Sequence, residues 1–106
     1  MKTILRMLLA VMALALIFST YVFADAGGDT FKAKCAACHG PDGSGSTTMG
    51  KNLKLRDLGS ADVQKQSDDD LTTIITKGKN KMPAYEGKLT KDQIGDVVKY
   101  IRTLKK

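Results

Sequence analysis

Two cysteines and the only histidine of the chain lie within one short stretch, as Cys35, Cys38 and His39. This Cys-x-x-Cys-His order is the pattern by which haem is attached covalently to a protein. Each thiol can add to one vinyl group, and residues three apart share a face of a helical turn, so both sulfurs can reach one porphyrin edge. The imidazole that follows is then placed to bind the iron. The motif predicts one haem c, with thioethers at Cys35 and Cys38 and His39 as the proximal iron ligand.

The same residues have three other interpretations. A redox disulfide of the thioredoxin type would need a strand–helix–strand setting, and the flanking sequence shows no strand pattern. A zinc site would need a second pair of ligands, but the chain has no further cysteine or histidine. A structural disulfide at this spacing would close a very small loop and stabilise little. Haem attachment is therefore the favoured interpretation, and the leader described next supports it.

Residues 1–24 have the pattern of a secretory signal peptide. Lys2 and Arg6 form a positive start, residues 7–18 are an apolar run, and small residues precede an expected cleavage after Ala24. An uncleaved membrane anchor is the alternative, although the run is short for a span that needs ~20 residues. The sequence predicts export to the periplasm or a compartment like a thylakoid lumen, with membrane attachment only if the leader is retained.

Residues 25–106 are expected to form one small domain. A chain of this length usually needs a staple or a cofactor to complete its core, and a buried porphyrin would serve. Removal of the leader takes away two basic residues, so the net charge of +6 falls by two and stays positive. The few scattered aromatic residues do not form a stacking platform for nucleic acid, which makes protein partners the expected use of this charge.

Local patterns predict an all-α domain with two long loops. Ser67, followed by three aspartates, is expected to cap a helix that Gly78 ends, and Thr90 and Gln93 have the spacing of a capping box. The expected helical segments are 29–38, a short turn within 57–66, 68–77 and 91–104. The glycine-rich stretch 39–52 is predicted to be a loop that wraps the ligand, and 77–88 a second loop. The leucines expected to be buried between them are Leu53, Leu55 and Leu58.

A methionine in the second loop is the expected distal iron ligand. With His39 used on one side, a thioether is the most suitable second donor, and Pro83 restricts Met82 to an extended backbone. Met82 could instead fill a gap in the core, the commoner use of methionine. Met49, in the first loop, is the second candidate for the ligand.

From about Gly27 onward the chain resembles the class I c-type cytochromes, in particular the small single-haem proteins of bacteria and photosynthetic electron chains. The matching residues are Gly27, Phe31, the stretch 35–40, the Lys-Met-Pro-Ala-Tyr stretch 81–85, and 97–102 on the last helix. The resemblance implies a cytochrome c fold, three to four helices wrapped around one haem. It also implies that the first and last helices cross where Gly27 or Gly28, with Phe31, meets Tyr100.

Two features depart from the pattern of this family. Lys51 stands where many members have a proline whose carbonyl accepts the second N–H of the haem histidine. A lysine carbonyl can accept the same bond less rigidly. The chain also has no tryptophan, which some members use near a haem propionate.

Ligation by histidine and methionine would leave no open position on the iron, so we expect a one-electron carrier and not an enzyme. The lysines expected to surround the haem edge and to steer acidic redox partners are Lys77, Lys79, Lys81 and Lys88. An ordinary solvated loop is the alternative for these lysines. A monomer is expected. The competing functions are a haem c subunit docked to a dehydrogenase or oxidase complex and a haem-free thiol protein.

Overall fold

A computed structural model describes residues 26–106 of the chain, and the predicted signal peptide lies outside these residues. Within them the regular structure is helical, which confirms the all-α prediction. There are two isolated bridge pairs, Lys79 with Met82 and Glu86 with Leu89. No helix among the described residues has both the length and the apolar character that crossing a bilayer requires. The helices in chain order are α1 (26–34), α2 (Ala36–His39), α3 (Thr48–Leu53), α4 (Ala61–Gln64), α5 (Asp68–Lys77) and α6 (Lys91–Thr103).

The first helix is interrupted within the haem motif. Cys35 has φ −117° and separates α1 from α2, and the N–H groups of Cys38 and His39 both donate to its carbonyl, at 3.2 and 3.0 Å. The prediction of one helix over 29–38 is therefore wrong in its bounds. The helical residues begin at 26, and the break places Cys38 and His39 on a separate short turn.

The prediction that 39–52 is entirely loop is also wrong, because α3 occupies its second half. Thr47 caps α3 by accepting a hydrogen bond from the N–H of Gly50 at 2.9 Å. Gly50 is buried, and a side chain there would collide with the carbonyls of Gly45 and Cys38. This glycine serves a close approach of backbones and not a turn, so its presence does not exclude a helix.

The capping chemistry of α5 and α6 follows the sequence. Ser67 accepts from the N–H of Asp70 at 3.0 Å, and α5 ends at Gly78, whose φ is 75°. Thr90 and Gln93 form the reciprocal capping box at the start of α6. The predicted short turn within 57–66 is α4. Each such cap is worth about 1 kcal/mol, so local chemistry sets where these helices begin.

The core forms where α6 packs against α1 and α5. Phe31 and Val97 are each only 1% exposed, and the Phe31 and Tyr100 ring centroids are 5.1 Å apart. A side chain added at Gly27 would collide with the Asp96 carbonyl of α6, and one added at Gly28 would press tightly against the Tyr100 ring. The crossing of the first and last helices is therefore the one that the family resemblance implied. The buried apolar residues are Phe31, Val63, Leu71, Ile75, Leu89, Ile94, Val97, Val98 and Ile101.

One arginine joins α6 to the connection between α4 and α5. The Arg102 guanidinium donates to the carbonyls of Gln64 and Gln66, at 2.8 and 2.6 Å, and to the Asp68 carboxylate at 2.9 Å. Gln64 in turn donates from its side chain to the carbonyls of Leu58 and Ile101. These bonds hold residues 58–71 against α6.

Candidate functional site

A cavity of about 570 Å³ lies between α1, α5, α6 and the segment that follows the haem motif. This volume is in the range of small-molecule sites, about 300–1,000 Å³. The apolar side chains on its walls are Phe31, Leu53, Leu55, Leu58, Val63, Leu71, Ile74, Ile75, Val97 and Ile101. The three leucines expected to be buried contacts are half-buried on this wall.

Three of the four predicted site residues line this cavity, namely Cys35, His39 and Met82. Cys38 is half-buried on the same turn as His39 and is not one of the lining residues. The two cysteines are not joined by a disulfide. The structure thus brings the first thiol, the imidazole and the thioether to one apolar space, although Met82 is far from the motif in sequence.

Burial raises the pKa of the Cys35 thiol to about 11, and the neighbouring Cys38 contributes to the rise. The thiolate is the reactive form in disulfide exchange, and a redox-active Cys-x-x-Cys pair normally has a lowered pKa. Cys35 therefore lacks the electrostatic environment of a thioredoxin-type nucleophile.

His39 has a ring nitrogen without a partner. Its Nδ1 is buried and makes no hydrogen bond. The ring centroid lies 6.4 Å from that of Phe31. Burial lowers the pKa of His39, which favours the neutral imidazole, the form that binds metals. The Lys51 carbonyl, which stands where the family pattern has the acceptor for this histidine, accepts from the N–H of Lys54 at 3.2 Å and not from His39.

The residues after His39 form what we call the His39 segment, 40–59, and it is tied closely to the haem motif. The Thr47 hydroxyl donates to the Cys38 carbonyl at 2.6 Å, and the N–H of Gly45 donates to the His39 carbonyl at 2.8 Å. Thr47 was not singled out from the sequence. Its role depends on a contact across the turn, and only its capping position before α3 could have indicated it.

Met82 belongs to what we call the Met82 segment, residues 78–89. Lys79 and Met82 pair through two backbone hydrogen bonds of 3.2 and 3.0 Å, with Asn80 at φ 55° between them. Gly78 also has positive φ, and a side chain there would collide with the Met82 carbonyl. Met82 is half-buried and packs against the core while it lines the cavity.

Met49, the second candidate for the distal ligand, lies elsewhere. It is 50% exposed on α3 and is not one of the residues that line the cavity. The geometry therefore favours Met82 over Met49.

The polar rim of the cavity is basic. Its lining residues include Lys54, Arg56, Lys79 and Lys81, and no carboxylate is among them. Of the other lysines expected around the haem edge, Lys77 is exposed at the end of α5, and Lys88 lies with its ammonium 6.0 Å from the Tyr85 ring centroid. Sequence reasoning missed Lys54 and Arg56. Their proximity to the leucines of the His39 segment was the available signal.

These features fit the haem that the motif predicts. An apolar cavity suits a porphyrin, a basic rim suits its propionates, and a buried neutral imidazole with an unpaired ring nitrogen suits a metal ligand. A thioether lines the same cavity and is the expected second donor.

Comparison with known proteins supports this assignment. The family model described as "Cytochrome C oxidase, cbb3-type, subunit III" matches residues 23–101. Cytochrome c6 of Leptolyngbya boryana is 40% identical, with 74% of this chain and 88% of that protein covered. Cytochrome c6 of a Picosynechococcus strain is 35% identical over 95% of this chain and 92% of that protein.

A solved structure described as the KustC0563 c-type cytochrome has the same fold. It superposes with a TM-score of 0.70 and 32% identity, and the alignment covers 76% of this chain and 98% of that one. Family model, relatives and fold agree with the haem motif and the cavity, and the chain therefore belongs to the class I c-type cytochromes, which carry covalently bound haem c and transfer electrons.

Proposed function

We propose that this protein is a one-electron carrier in which His39 and Met82 would ligate the haem iron and Cys35 and Cys38 would attach the porphyrin. The observation that carries the proposal is that Cys35, His39 and Met82 line one apolar cavity. Haem held in this way supplies reversible exchange of one electron, with a potential raised by the thioether ligand. The protein residues bind the group, exclude water from it and leave no coordination position for a substrate, so we infer a carrier and not an enzyme.

The iron ligands can be tested by substituting the two methionines of residues 25–106. Met82→Ala should abolish the weak far-red sulfur-to-iron absorption of the oxidised protein and open a position that binds carbon monoxide. Met49→Ala is the matched control, because Met49 is exposed and outside the cavity. A far-red band that survives in Met82→Ala would contradict the assignment.

We further propose that the protein is exported, with residues 1–24 removed as a signal peptide and residues 25–106 acting as a monomer outside the cytoplasm. The leader pattern supports this, since a positive start, a short apolar run and small residues before Ala24 are typical of a cleaved secretory signal. Mass spectrometry of the purified holoprotein should show an N-terminus at Asp25 and the added mass of one haem. An N-terminus at Met1 would instead support a retained membrane anchor.

The basic rim is proposed to steer redox partners with acidic docking surfaces. Lys79 and Lys81 are both exposed at the cavity, so a partner that docks there approaches the site of electron exchange. Opposite charges speed encounter at low salt and are screened as salt rises. Lys79→Glu combined with Lys81→Glu should slow electron transfer to an acidic partner and reverse its dependence on ionic strength. Lys99→Glu is the control, because Lys99 is exposed on α6 and does not line the cavity. Equal rates in the wild type, the double variant and the control would refute steering.

The second candidate function is a haem c subunit held permanently in a larger complex. The description of the matching family model, which names an oxidase subunit, favours this possibility. Gel filtration of native extract separates the two. A free carrier elutes at the size of residues 25–106 alone, and a subunit elutes with its complex.

A further inference from the structure

The break between α1 and α2 leaves a backbone carbonyl to be satisfied. In an uninterrupted α-helix the carbonyl of Lys34 would accept from the N–H of Cys38. That N–H donates instead to the carbonyl of Cys35, at 3.2 Å. A carbonyl released in this way accepts from water or from another group of the protein.

The donor is a tyrosine from a distant part of the chain. The Tyr85 hydroxyl donates to the Lys34 carbonyl at 2.8 Å, across 51 positions in sequence. Its pKa is raised, chiefly by burial, so the phenol keeps its proton and can donate. A phenylalanine would fill the same space but could not make this bond.

Tyr85 also holds the Met82 segment to α5. Its N–H donates to the Ile75 carbonyl at 3.0 Å, and its own carbonyl accepts from the N–H groups of Lys88 and Leu89, each at 3.0 Å. Among the side chains described for residues 78–89, the Tyr85 hydroxyl makes the hydrogen bond that reaches α1, the helix directly before the haem motif. It stands three positions after Met82 and binds the residue directly before Cys35.

We propose that Tyr85 is a positioning residue for the distal iron ligand, in which its hydroxyl locks the Met82 segment to the haem-attachment turn. This inference rests on the proposed ligation by Met82. Loss of the hydroxyl leaves the Lys34 carbonyl without its donor and releases the segment from α1, so the thioether leaves the iron more readily. The porphyrin linkage and the His39 side are not affected.

The test is a titration of oxidised wild-type, Tyr85→Phe and Tyr100→Phe holoproteins with imidazole, an added ligand that competes with the thioether, followed by the far-red band. Tyr100→Phe is the matched control, because its hydroxyl also faces a backbone carbonyl, that of Pro41, but at 3.5 Å and away from the Met82 segment. One hydrogen bond is worth about fivefold in an equilibrium constant. We therefore expect the apparent imidazole affinity of Tyr85→Phe to be about fivefold above that of the wild type, and that of Tyr100→Phe to change by less than about twofold.

Three outcomes are distinguishable. The expected increase, with helix content preserved in far-ultraviolet circular dichroism, supports the positioning role. A wild-type band that Tyr85→Phe leaves unchanged, with imidazole affinity equal to that of the control, overturns this inference and leaves the proposed function intact. A wild-type protein without the far-red band overturns the Met82 assignment and this inference together.

Discussion

The His39 segment and the Met82 segment border the same cavity, but they are held to the rest of the fold differently. The His39 segment is bonded to the haem motif through Gly40, Gly45 and Thr47. Its other end is bonded to Lys106, whose N–H donates to the Gly59 carbonyl at 3.0 Å. The Met82 segment is folded on itself between Lys79 and Met82 and is bonded to neighbouring elements through Gly78, Tyr85 and Glu86. The proximal side is therefore fixed by many local bonds, and the distal side by fewer bonds to its neighbours, two of which are made by Tyr85.

This difference indicates where each side of the site should fail. Local openings begin where few contacts and exposed hydrogen bonds hold the chain. Pro83 and Ala84 are exposed next to Met82, whereas Gly43, Gly45 and Gly50 of the His39 segment are buried. The distal ligand should thus be released well before the proximal one.

The largest expected effect comes from a substitution in the wall of the cavity that the two segments share. Phe31 lines the cavity, contacts the core and lies near the His39 ring. Phe31→Ala should lower the free energy of unfolding by about 3–5 kcal/mol, since it removes a large buried ring and leaves a cavity. Guanidinium denaturation of the holoprotein, followed by circular dichroism, measures the loss. Phe31→Leu, which refills part of the space, should lose clearly less, and equal losses in the two variants would contradict the packing argument.

A smaller effect should appear on the distal side alone. Gly78→Ala would force alanine into an extended backbone with positive φ, at a cost of about 1–3 kcal/mol, and the added carbon would collide with the Met82 carbonyl. We expect a lower unfolding free energy and a weakened far-red band. Gly87→Ala is the control, because Gly87 has a similar φ of 79° but no neighbour near the added carbon. Equal weakening of the band in both variants would show that strain, and not displacement of Met82, is responsible.

The corresponding change on the proximal side is Thr47→Val. It removes the cap of α3 and the donor to the Cys38 carbonyl, at an expected cost of about 1–2 kcal/mol. Because this side has other bonds to His39, we expect the far-red band to persist. Thr103→Val, which removes an exposed hydroxyl bond at the end of α6, serves as the control. A band lost in Thr47→Val would mean that the two sides are not separable.

The smallest expected effect depends on pH and concerns the end of the His39 segment. The Lys106 ammonium and the Gly59 N–H donate to the Asp57 carboxylate and lower its pKa from the ordinary value of 3.8. A lowered folded pKa means that the stabilisation is present above the unfolded pKa and is lost as pH falls through the folded one. The difference in stability between wild type and Asp57→Asn should be present at neutral pH and shrink as the pH falls below 3.8, the ordinary value. Thermal melts at the two pH values measure it, and a difference that persists in acid would contradict the assignment.

The parts of the fold that could be predicted from sequence depend on neighbours along the chain. Ser67, Gly78 and the pair Thr90 and Gln93 set helix ends through contacts within a few positions. The family resemblance added the crossing of α1 and α6, since Gly28 and Tyr100 have no local signal that joins them.

The features that sequence reasoning missed depend on contacts between distant backbones. Gly50 lies in a stretch whose many glycines predict a turn, but this glycine is needed because the carbonyls of Gly45 and Cys38 approach its backbone closely. The break at Cys35 releases the Lys34 carbonyl, and Tyr85 donates to it from a distant part of the chain. Neither feature has a signal in the local sequence. Cys35, His39 and Met82 could be proposed from their chemistry, whereas the only sequence signal for Lys54 and Arg56 was their proximity to the leucines that line the cavity.

The position of α6 bears on the order of events in maturation. This helix follows the other described helices in the chain and contributes Ile94, Val97, Val98 and Ile101, nearly half of the buried apolar side chains. A chain synthesised only as far as α5 therefore lacks the helix that crosses α1 at Phe31. Because this crossing joins the two ends of the described chain, we expect it to form late in folding.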